Sequence, residues 1–342
     1  DLHSTSRRQR QMCIRDRQSA VRDGVTAEEV KGILLGMASG QETLLGYFRR
    51  FIRNFEKRVG INRTVGSLRA YSNAYSHIER FLQAQYKLSD IPFSALDRSF
   101  IDKYDLYLRT ERNLAPGTII NLTVQLKTIV GEAIADGIIT ASPFMGYEPV
   151  RPKHVQKYLT AEELHRIMTT PLHRQPLYHV RDMFLFSCFT GIPYGDMRLL
   201  TKDNLCLAED GIWWIKSARQ KTKIEFEIPL LDLPLQILKK YSGTAPGDKL
   251  LPMYCNSTLN LYLKEIARIC HIDRPLVFHA GRHTYATEIT LSHGVPLETV
   301  SRMLGHSQIE TTQIYAKVTD EKIDADTKAL NRKISERFSV VI

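Results

Sequence analysis

Four residues between positions 277 and 315 could together carry out covalent chemistry on a phosphodiester. They are His279, Arg282, His306 and Tyr315, found in the segments V-F-H-A-G-R-H-T, L-G-H and T-T-Q-I-Y-A. A phenol has a free pKa of about 10, so it needs cationic neighbours to ionise and attack at neutral pH. Arginine offers a planar pair of donors to two phosphate oxygens. A spacing of three places His279 and Arg282 on one helix face, from which both can reach one pocket.

Each of these residues also has a more ordinary interpretation. A tyrosine in T-T-Q-I-Y-A is usually a half-buried helix residue, and a histidine after Leu-Gly usually follows a helix C-cap. His283, directly after Arg282, is expected to pack beside the site or to support it. The combination of residue types in this order and spacing favours a functional site over these separate interpretations.

The order H-x-x-R, L-G-H and Y resembles the C-terminal signature of the tyrosine recombinase (phage integrase) family. The resemblance covers roughly residues 41 to 317 and, within the family, is to integrases of Bacteroides-type mobile elements. It implies a phosphotyrosine intermediate on Tyr315, with Arg282, His279 and His306 around the phosphate. It also implies that no cofactor and no metal take part.

A lysine on a hairpin belongs to the same family pattern, and Lys221 matches its position. Its implied role is general acid to the leaving 5′ oxygen. The chain departs from the family at T-G-x-R, since T-G-I-P places Pro193 where an arginine is usual. Proline has no donor, and loss of one such donor costs about 3–4 kcal/mol of transition-state stabilisation.

Two arginines could replace the missing guanidinium. Arg198 follows five residues later and is expected to turn away on the next helix. Arg219 precedes Lys221 by two residues, which would place both on one face of a strand. The hypothesis is that Arg219 is the replacement, while Asp196 orients basic neighbours.

Composition favours a polyanionic partner. The net charge is +10 and the pI is near 9.3, so basic side chains are available to neutralise phosphates. Five cysteines without a C-x-x-C pair give neither a disulfide framework nor a zinc site, which fits a reducing cytoplasm. No apolar run approaches the roughly 18 residues of a membrane span, and there is no phosphate-binding G-x-x-x-x-G-K-[ST] loop.

The N-terminal half predicts helices. Residues 1–17 are expected to be a non-native or fragment leader, and residues 18–40 a linker or the remnant of an N-terminal arm-binding domain. Amphipathic segments predict four helices, near residues 44–59 with Gly60 as the C-cap, 67–86, 97–111 and 116–137. Residues 41–146 resemble the SAM-like core-binding domain of tyrosine recombinases.

The C-terminal half predicts a second domain after an extended linker at residues 147–158. Thr160 to Glu163 reads as a capping box that opens a catalytic domain over residues 159–325. Alternation predicts strands near 211–217 and 222–229, joined at 218–221. Residues 326–342 are expected to be a tail that could dock on a neighbouring subunit. The predicted fold is mainly α (α+β), an all-helical domain followed by a mostly helical one with a small antiparallel sheet.

The expected function is that of a site-specific DNA recombinase, such as the integrase of a mobile element, in the cytoplasm and associated with the nucleoid. The expected partners are double-stranded DNA and the other subunits of a homotetramer on that DNA. Accessory DNA-bending factors are possible further partners, and no association with a membrane is expected. One alternative is a DNA-binding protein of the same fold with impaired catalysis. A type IB topoisomerase would share the tyrosine chemistry. A helix-turn-helix regulator would leave the ordered His, Arg and Tyr unexplained.

Overall fold

The computed structural model describes residues 42–151, 157–315 and 320–335. The chain divides into two compact units between residues 154 and 155. The predictions for residues 1–17 and 18–40 lie outside the described residues, as do five residues of the predicted linker and the last seven of the tail.

The first unit is all-helical, and the four predicted helices are present. They are α1 (Leu44–Glu56), α2 (Val65–Phe81), α3 (Arg98–Thr110) and α4 (Pro116–Ala135). A π-helical turn, Leu82–Tyr86, continues α2, and a short 3-10 helix, Phe93–Ala95, precedes α3.

Local sequence explains where these helices begin and end. The side chains of Thr64 and Asp97 cap α2 and α3 by accepting backbone N–H groups, and Pro116 occupies the first turn of α4. The predicted C-cap at Gly60 is wrong, because α1 ends at Glu56. Gly60 has a φ of +87° in the turn that follows, where its N–H donates to the carbonyl of Arg63.

The second unit is mostly helical. It contains α5 (Ala161–Thr169), α6 (Gln175–Thr190), α7 (Tyr194–Met197), α8 (Asp232–Lys240), α9 (Asn256–Ile269), α10 (Ala280–Thr284), α11 (Leu297–Leu304), α12 (Glu310–Gln313) and α13 (Asp320–Ser335). Short 3-10 helices cover Lys202–Asn204 and Leu291–His293, and Tyr285–Thr290 is π-helical. The predicted capping box of Thr160 and Glu163 is present at the start of α5. Helix α13 runs through the predicted catalytic-domain boundary at residue 325.

A three-stranded antiparallel sheet in the order β1-β2-β3 completes the second unit. The two predicted strands are β2 (Trp213–Ala218) and β3 (Glu225–Pro229). Strand β1 (Leu205–Leu207) was not predicted, since three residues are too short to show an alternating pattern. Ala218 pairs with Glu225, so Arg219 and Lys221 both lie in the connecting loop. The prediction that they share one face of a strand is therefore wrong.

Helix α6 lies at the centre of the second unit's core and positions the site. Its buried residues include Val180, Met183, Phe184 and Phe186, which explains why it lacks a strongly polar face. Helix α10 packs directly against α6 at Gly281, where an added Cβ would lie 2.9 Å from the Ser187 hydroxyl oxygen. Among the described residues, no helix has both the length and the apolar character needed to span a bilayer.

Candidate active site

Arg282 is the buried centre of the candidate site. It lies on α10 and is only 3% exposed. Its guanidinium donates from Nη1 to the carbonyl of Gly191 at 2.9 Å and from Nη2 to the carbonyl of Leu304 at 2.6 Å. Burial, followed by repulsion from Arg219, lowers the pKa of Arg282 to about 10, so the group stays charged at neutral pH.

Two glycines shape the backbone that receives Arg282. Gly191 ends α6 with a φ of +69°, and an added Cβ would lie 2.4 Å from the ring of Tyr285. Gly305, the glycine of L-G-H, ends α11 with a φ of +64°. An added Cβ there would lie 2.8 Å from Cγ of Arg219. Both positions favour glycine twice over, for backbone conformation and for space.

His306 links Arg282 to a threonine that the sequence did not single out. Its Nε2 lies 2.9 Å from Nη2 of Arg282, and its Nδ1 lies 2.8 Å from Oγ1 of Thr312. Because a guanidinium can only donate, Nε2 is the acceptor, and the proton of the neutral imidazole is on Nδ1, which donates to Thr312. Burial, then Arg282 and Arg219, lower the pKa of His306 to about 4. Arg282 thus sets the tautomer, and the completely buried Thr312 accepts the proton of Nδ1.

Tyr315 lies close to this cluster and is 7% exposed. Its ring stacks on that of His306 at a centroid distance of 6.3 Å and 9° between planes. The ring of His283 approaches it edge-on at 5.1 Å and 67°. Burial raises the pKa of the phenol, whereas Arg282 and Arg219 oppose this rise. The arrangement places the phenol where positive charge can stabilise its anion.

Arg219 joins the same cluster from the β2–β3 loop. Its Nη1 donates to the carbonyl of Leu304 at 3.4 Å, the oxygen that also accepts from Arg282. Asp196 holds the loop in place, because its carboxylate pairs with Nε of Arg219 at 3.0 Å and accepts the N–H of Gln220 at 3.0 Å. The expectation that Asp196 orients a basic neighbour is confirmed. Arg198 ends α7 with an exposed side chain.

The other predicted residues lie at the edge of this cluster. His279 directly precedes α10, is exposed, and contacts the ring of His283 at 4.9 Å. Partial desolvation, then the charges of Arg282, Arg219 and Lys157, lower the pKa of His279.

An open groove of about 260 Å³ beside His279 is also lined by Pro193. Lys221 is exposed in the β2–β3 loop, and within the described residues its side chain makes no hydrogen bond or ion pair. The contacts thus join Arg219, Arg282, His306 and Tyr315 directly and His279 through His283, but not Lys221.

In the part of the chain that the structure describes, no three His, Cys, Asp or Glu side chains are grouped so that they could hold a metal ion. The cluster itself contributes guanidinium, imidazole and phenol groups. Together they can bind an anion and present a nucleophile beside it.

Both units of this chain match known protein families. Residues 157–322 match the phage integrase family, and residues 43–149 match the phage integrase SAM-like domain. The tyrosine recombinase XerD of Listeria monocytogenes is 26% identical over 273 residues, which cover 75% of this chain and 89% of the relative. XerD of Staphylococcus saprophyticus is 26% identical over 297 residues, which cover 82% of this chain and 96% of the relative.

Solved structures agree with the fold. The Tn1549 transposon integrase in complex with transposon right end DNA superposes with a TM-score of 0.66 at 19% identity, covering 84% of this chain and 99% of that one. A lambda integrase tetramer bound to a Holliday junction gives 0.65 at 17% identity, covering 82% and 80%. The predicted mainly α fold with a small antiparallel sheet is confirmed. Resemblance to Bacteroides-type elements stays a prediction. The chain belongs to the phage integrase (tyrosine recombinase) family of site-specific DNA recombinases.

Proposed function

We propose that this recombinase breaks and rejoins DNA through a 3′-phosphotyrosine formed on Tyr315. The observation that carries the proposal is the position of the phenol, which is buried between two imidazole rings and beside the charge of Arg282. A phenol held this way is desolvated, oriented and next to the group that would bind a phosphate.

The reaction conserves bonds and needs no energy source. Tyr315 loses its phenol proton to solvent, its Oη attacks the scissile phosphorus to form a P–O bond, and the P–O5′ bond breaks. The leaving 5′ oxygen takes a proton from Lys221 and becomes a free hydroxyl. Attack of a 5′ hydroxyl on the phosphotyrosine reverses these steps and restores the phenol. Arg282, His279 and His306 stabilise the charge on the non-bridging oxygens.

Arg219 supplies the second guanidinium in place of the residue at Pro193. Support comes from the shared carbonyl of Leu304, which brings one NH₂ group of Arg219 next to one of Arg282. The ion pair with Asp196 holds Nε of the guanidinium, so that the remaining donors have a defined direction. Two guanidinium groups on one phosphate form a stronger clamp than one.

The domain roles follow the same proposal. Residues 41–146 would form a core-binding domain, residues 147–158 the linker, residues 159–325 the catalytic domain, and residues 326–342 a tail that docks on a neighbouring subunit. Outer-face arginines of α1, such as Arg49 and Arg53, are exposed and suited to phosphate contacts.

Among the related structures, the Tn1549 integrase holds transposon end DNA, and lambda integrase forms a tetramer on a Holliday junction. By analogy, this chain would act as a homotetramer on two duplexes to integrate or excise a mobile element, with accessory DNA-bending factors as further partners.

Trapping the covalent intermediate tests the proposal. The protein is incubated with nicked suicide substrates that cover the element's candidate ends, and adducts are detected after boiling in detergent. An adduct with the native protein that is absent with Tyr315→Phe is the expected result. Retarded DNA without an adduct, on a verified site, would favour the impaired DNA-binding alternative and point to Pro193.

A further inference from the structure

The ring of His283 touches the proposed nucleophile, although His283 lies outside the set of residues expected to bind phosphate. It contacts Tyr315 edge-on at 5.1 Å, and on its other side it contacts His279 at 4.9 Å. We propose that His283 is a positioning residue, whose ring holds the phenol of Tyr315 in its attacking orientation. This inference rests on the proposed role of Tyr315 as the nucleophile.

The backbone that carries His283 is fixed on two sides. The neighbouring Thr284 is completely buried, and its hydroxyl accepts the N–H of Leu159 at 3.0 Å while donating to the carbonyl of Ala280 at 2.9 Å. At Gly281, the helix packs so closely on α6 that an added Cβ would lie 3.0 Å from Cβ of Ser187. Because close packing holds α10 in place, the imidazole of His283 gives the phenol of Tyr315 a rigid packing surface.

The contact between the rings is an aromatic one. The interplanar angle of 67° directs the edge of one ring toward the other, which is a favoured geometry for aromatic pairs. His306 covers Tyr315 in a parallel arrangement at 9°. With one imidazole edge-on and the other stacked, the phenol is restricted in both its tilt and its rotation.

Apart from the phenol of Tyr315, the titratable groups that act on His283 are basic. Burial, followed by the charges of His279, Lys157 and Arg282, lowers the pKa of His283 to about 4, so the ring is neutral at neutral pH. The groups around Tyr315 are Arg282, Arg219, His283 and His306. A neutral ring at position 283 packs on the phenol without drawing the developing phenolate away from Arg282.

The test is single-turnover adduct formation on the nicked suicide substrate, at saturating protein and from pH 6 to 10. His283→Ala is expected to lower the plateau rate roughly 10- to 100-fold, since small misplacements of a reacting group cost up to about a hundredfold. The same change admits water to Tyr315 and lowers the pKa of the phenol, so the rising limb of the pH profile moves to lower pH. A merely structural role would not move this limb.

Other variants separate the ring from its nitrogen atoms. His283→Phe keeps an aromatic ring and is expected to restore the rate to within a few-fold of the native protein. His283→Gln removes the ring but keeps a polar side chain, and is expected to cleave as slowly as His283→Ala. It replaces the alanine variant in the test if that variant folds poorly. The control is His165→Ala, an exposed histidine on α5, which is expected to leave rate and profile unchanged.

Native rates for His283→Gln, or a phenylalanine variant as slow as the alanine variant, would overturn the inference. Tyr315→Phe distinguishes this failure from that of the proposed function. If adducts persist in that variant, the nucleophile itself is wrongly assigned. If adducts are lost while His283→Ala cleaves at the native rate and pH, the nucleophile stands and only the positioning role is excluded.

Discussion

At the scale of single residues, Arg282 and His306 already have hydrogen-bond partners within the protein itself. Arg282 donates to two carbonyl groups and to Nε2 of His306, and that nitrogen carries no proton. For Nε2 of His306 to donate to a phosphate while Nδ1 keeps donating to Thr312, the ring must take up a proton. Since the pKa of free His306 is about 4, a bound phosphate must raise it well above that value for the charged form to persist.

Binding of cognate DNA is therefore expected to take up protons at pH 6 to 7, up to about one per active site. Calorimetric titration in buffers of different ionisation enthalpy measures this uptake from the change in apparent binding enthalpy. His306→Asn should remove it, whereas His165→Ala should not. Equal proton uptake by the native protein and His306→Asn would exclude this role for His306.

Arg219→Ala is expected to slow cleavage roughly 100- to 1000-fold, because one donor group to the transition-state charge is lost. Arg219→Lys should recover part of the rate, since a lysine keeps the charge but not the planar pair of donors. Arg198→Ala, an exposed arginine on the same unit, is the matched control. Adduct formation by Arg219→Ala at the native rate would refute the replacement of the guanidinium missing at Pro193.

Lys221→Ala is expected to lose about 100-fold or more in cleavage of ordinary DNA, as general acid catalysis contributes roughly that much. A substrate with sulfur in place of the bridging 5′ oxygen has a leaving group that needs no proton. This substrate should restore the variant to near the native rate. Lys223→Ala, two residues away in the same loop, is the control. A variant that stays equally slow on both substrates would contradict the acid role.

At the scale of elements, the site depends on where helices stop. Helix α6 ends at Gly191 and α11 ends at Gly305, both in left-handed conformation. The carbonyl of Gly191 and that of Leu304, the last residue of α11, are free of helix partners because they lie at these ends. They are the two backbone oxygens that bind Arg282. Each helix end thus presents an acceptor to the buried charge.

Gly305→Ala is expected to destabilise the protein by about 1 kcal/mol, from the φ of +64° alone. It should also slow cleavage more than this loss explains, because the new Cβ displaces the side chain of Arg219. Urea unfolding and single-turnover cleavage measure the two effects separately. Gly294→Ala is the control, with a φ of +83° and open space around it, and should lose stability only.

Most of the helices and strands could be predicted from the sequence, and particular residues of the site show where the prediction failed. The capping box at Thr160 and the proline at the start of α4 have local signals, so those helices were found. Arg219 was identified through a supposed strand face, yet it reaches the site from a loop held by Asp196. Thr312 had no distinguishing signal beside Thr311. The acceptors of Arg282 are backbone carbonyls, which no residue type reveals.

At the scale of the whole molecule, the histidines make stability depend on pH. The pKa values of His283 and His306 are lowered to about 4, below the value near 6.5 of an unfolded chain. Between these values the unfolded state binds more protons than the folded state. Stability is therefore complete above about pH 7 and falls as the pH drops toward 4.

Thermal unfolding at matched ionic strength should give a lower Tm at pH 5 than at pH 7.5. The variants His306→Asn and His283→Phe should each reduce this difference, whereas His165→Ala should leave it unchanged. A Tm difference that is the same in all four proteins would show that other groups are responsible. The range above pH 5 is chosen because the carboxylates titrate largely below it.

Arg219 and Arg282 donate to the same carbonyl, that of Leu304. This shared contact affects how active recombinases can be recognised from their sequences. A profile that requires arginine after T-G scores this chain as defective at position 193. On our proposal, Arg219 supplies this charge from the β2–β3 loop, where it shares the carbonyl of Leu304 with Arg282. The proposal implies that a guanidinium can be supplied from another part of the gene, provided that it reaches the same position in the site. Whether a member of the family is active should then be judged from where its charged side chains lie in the structure, rather than from the alignment column in which they occur.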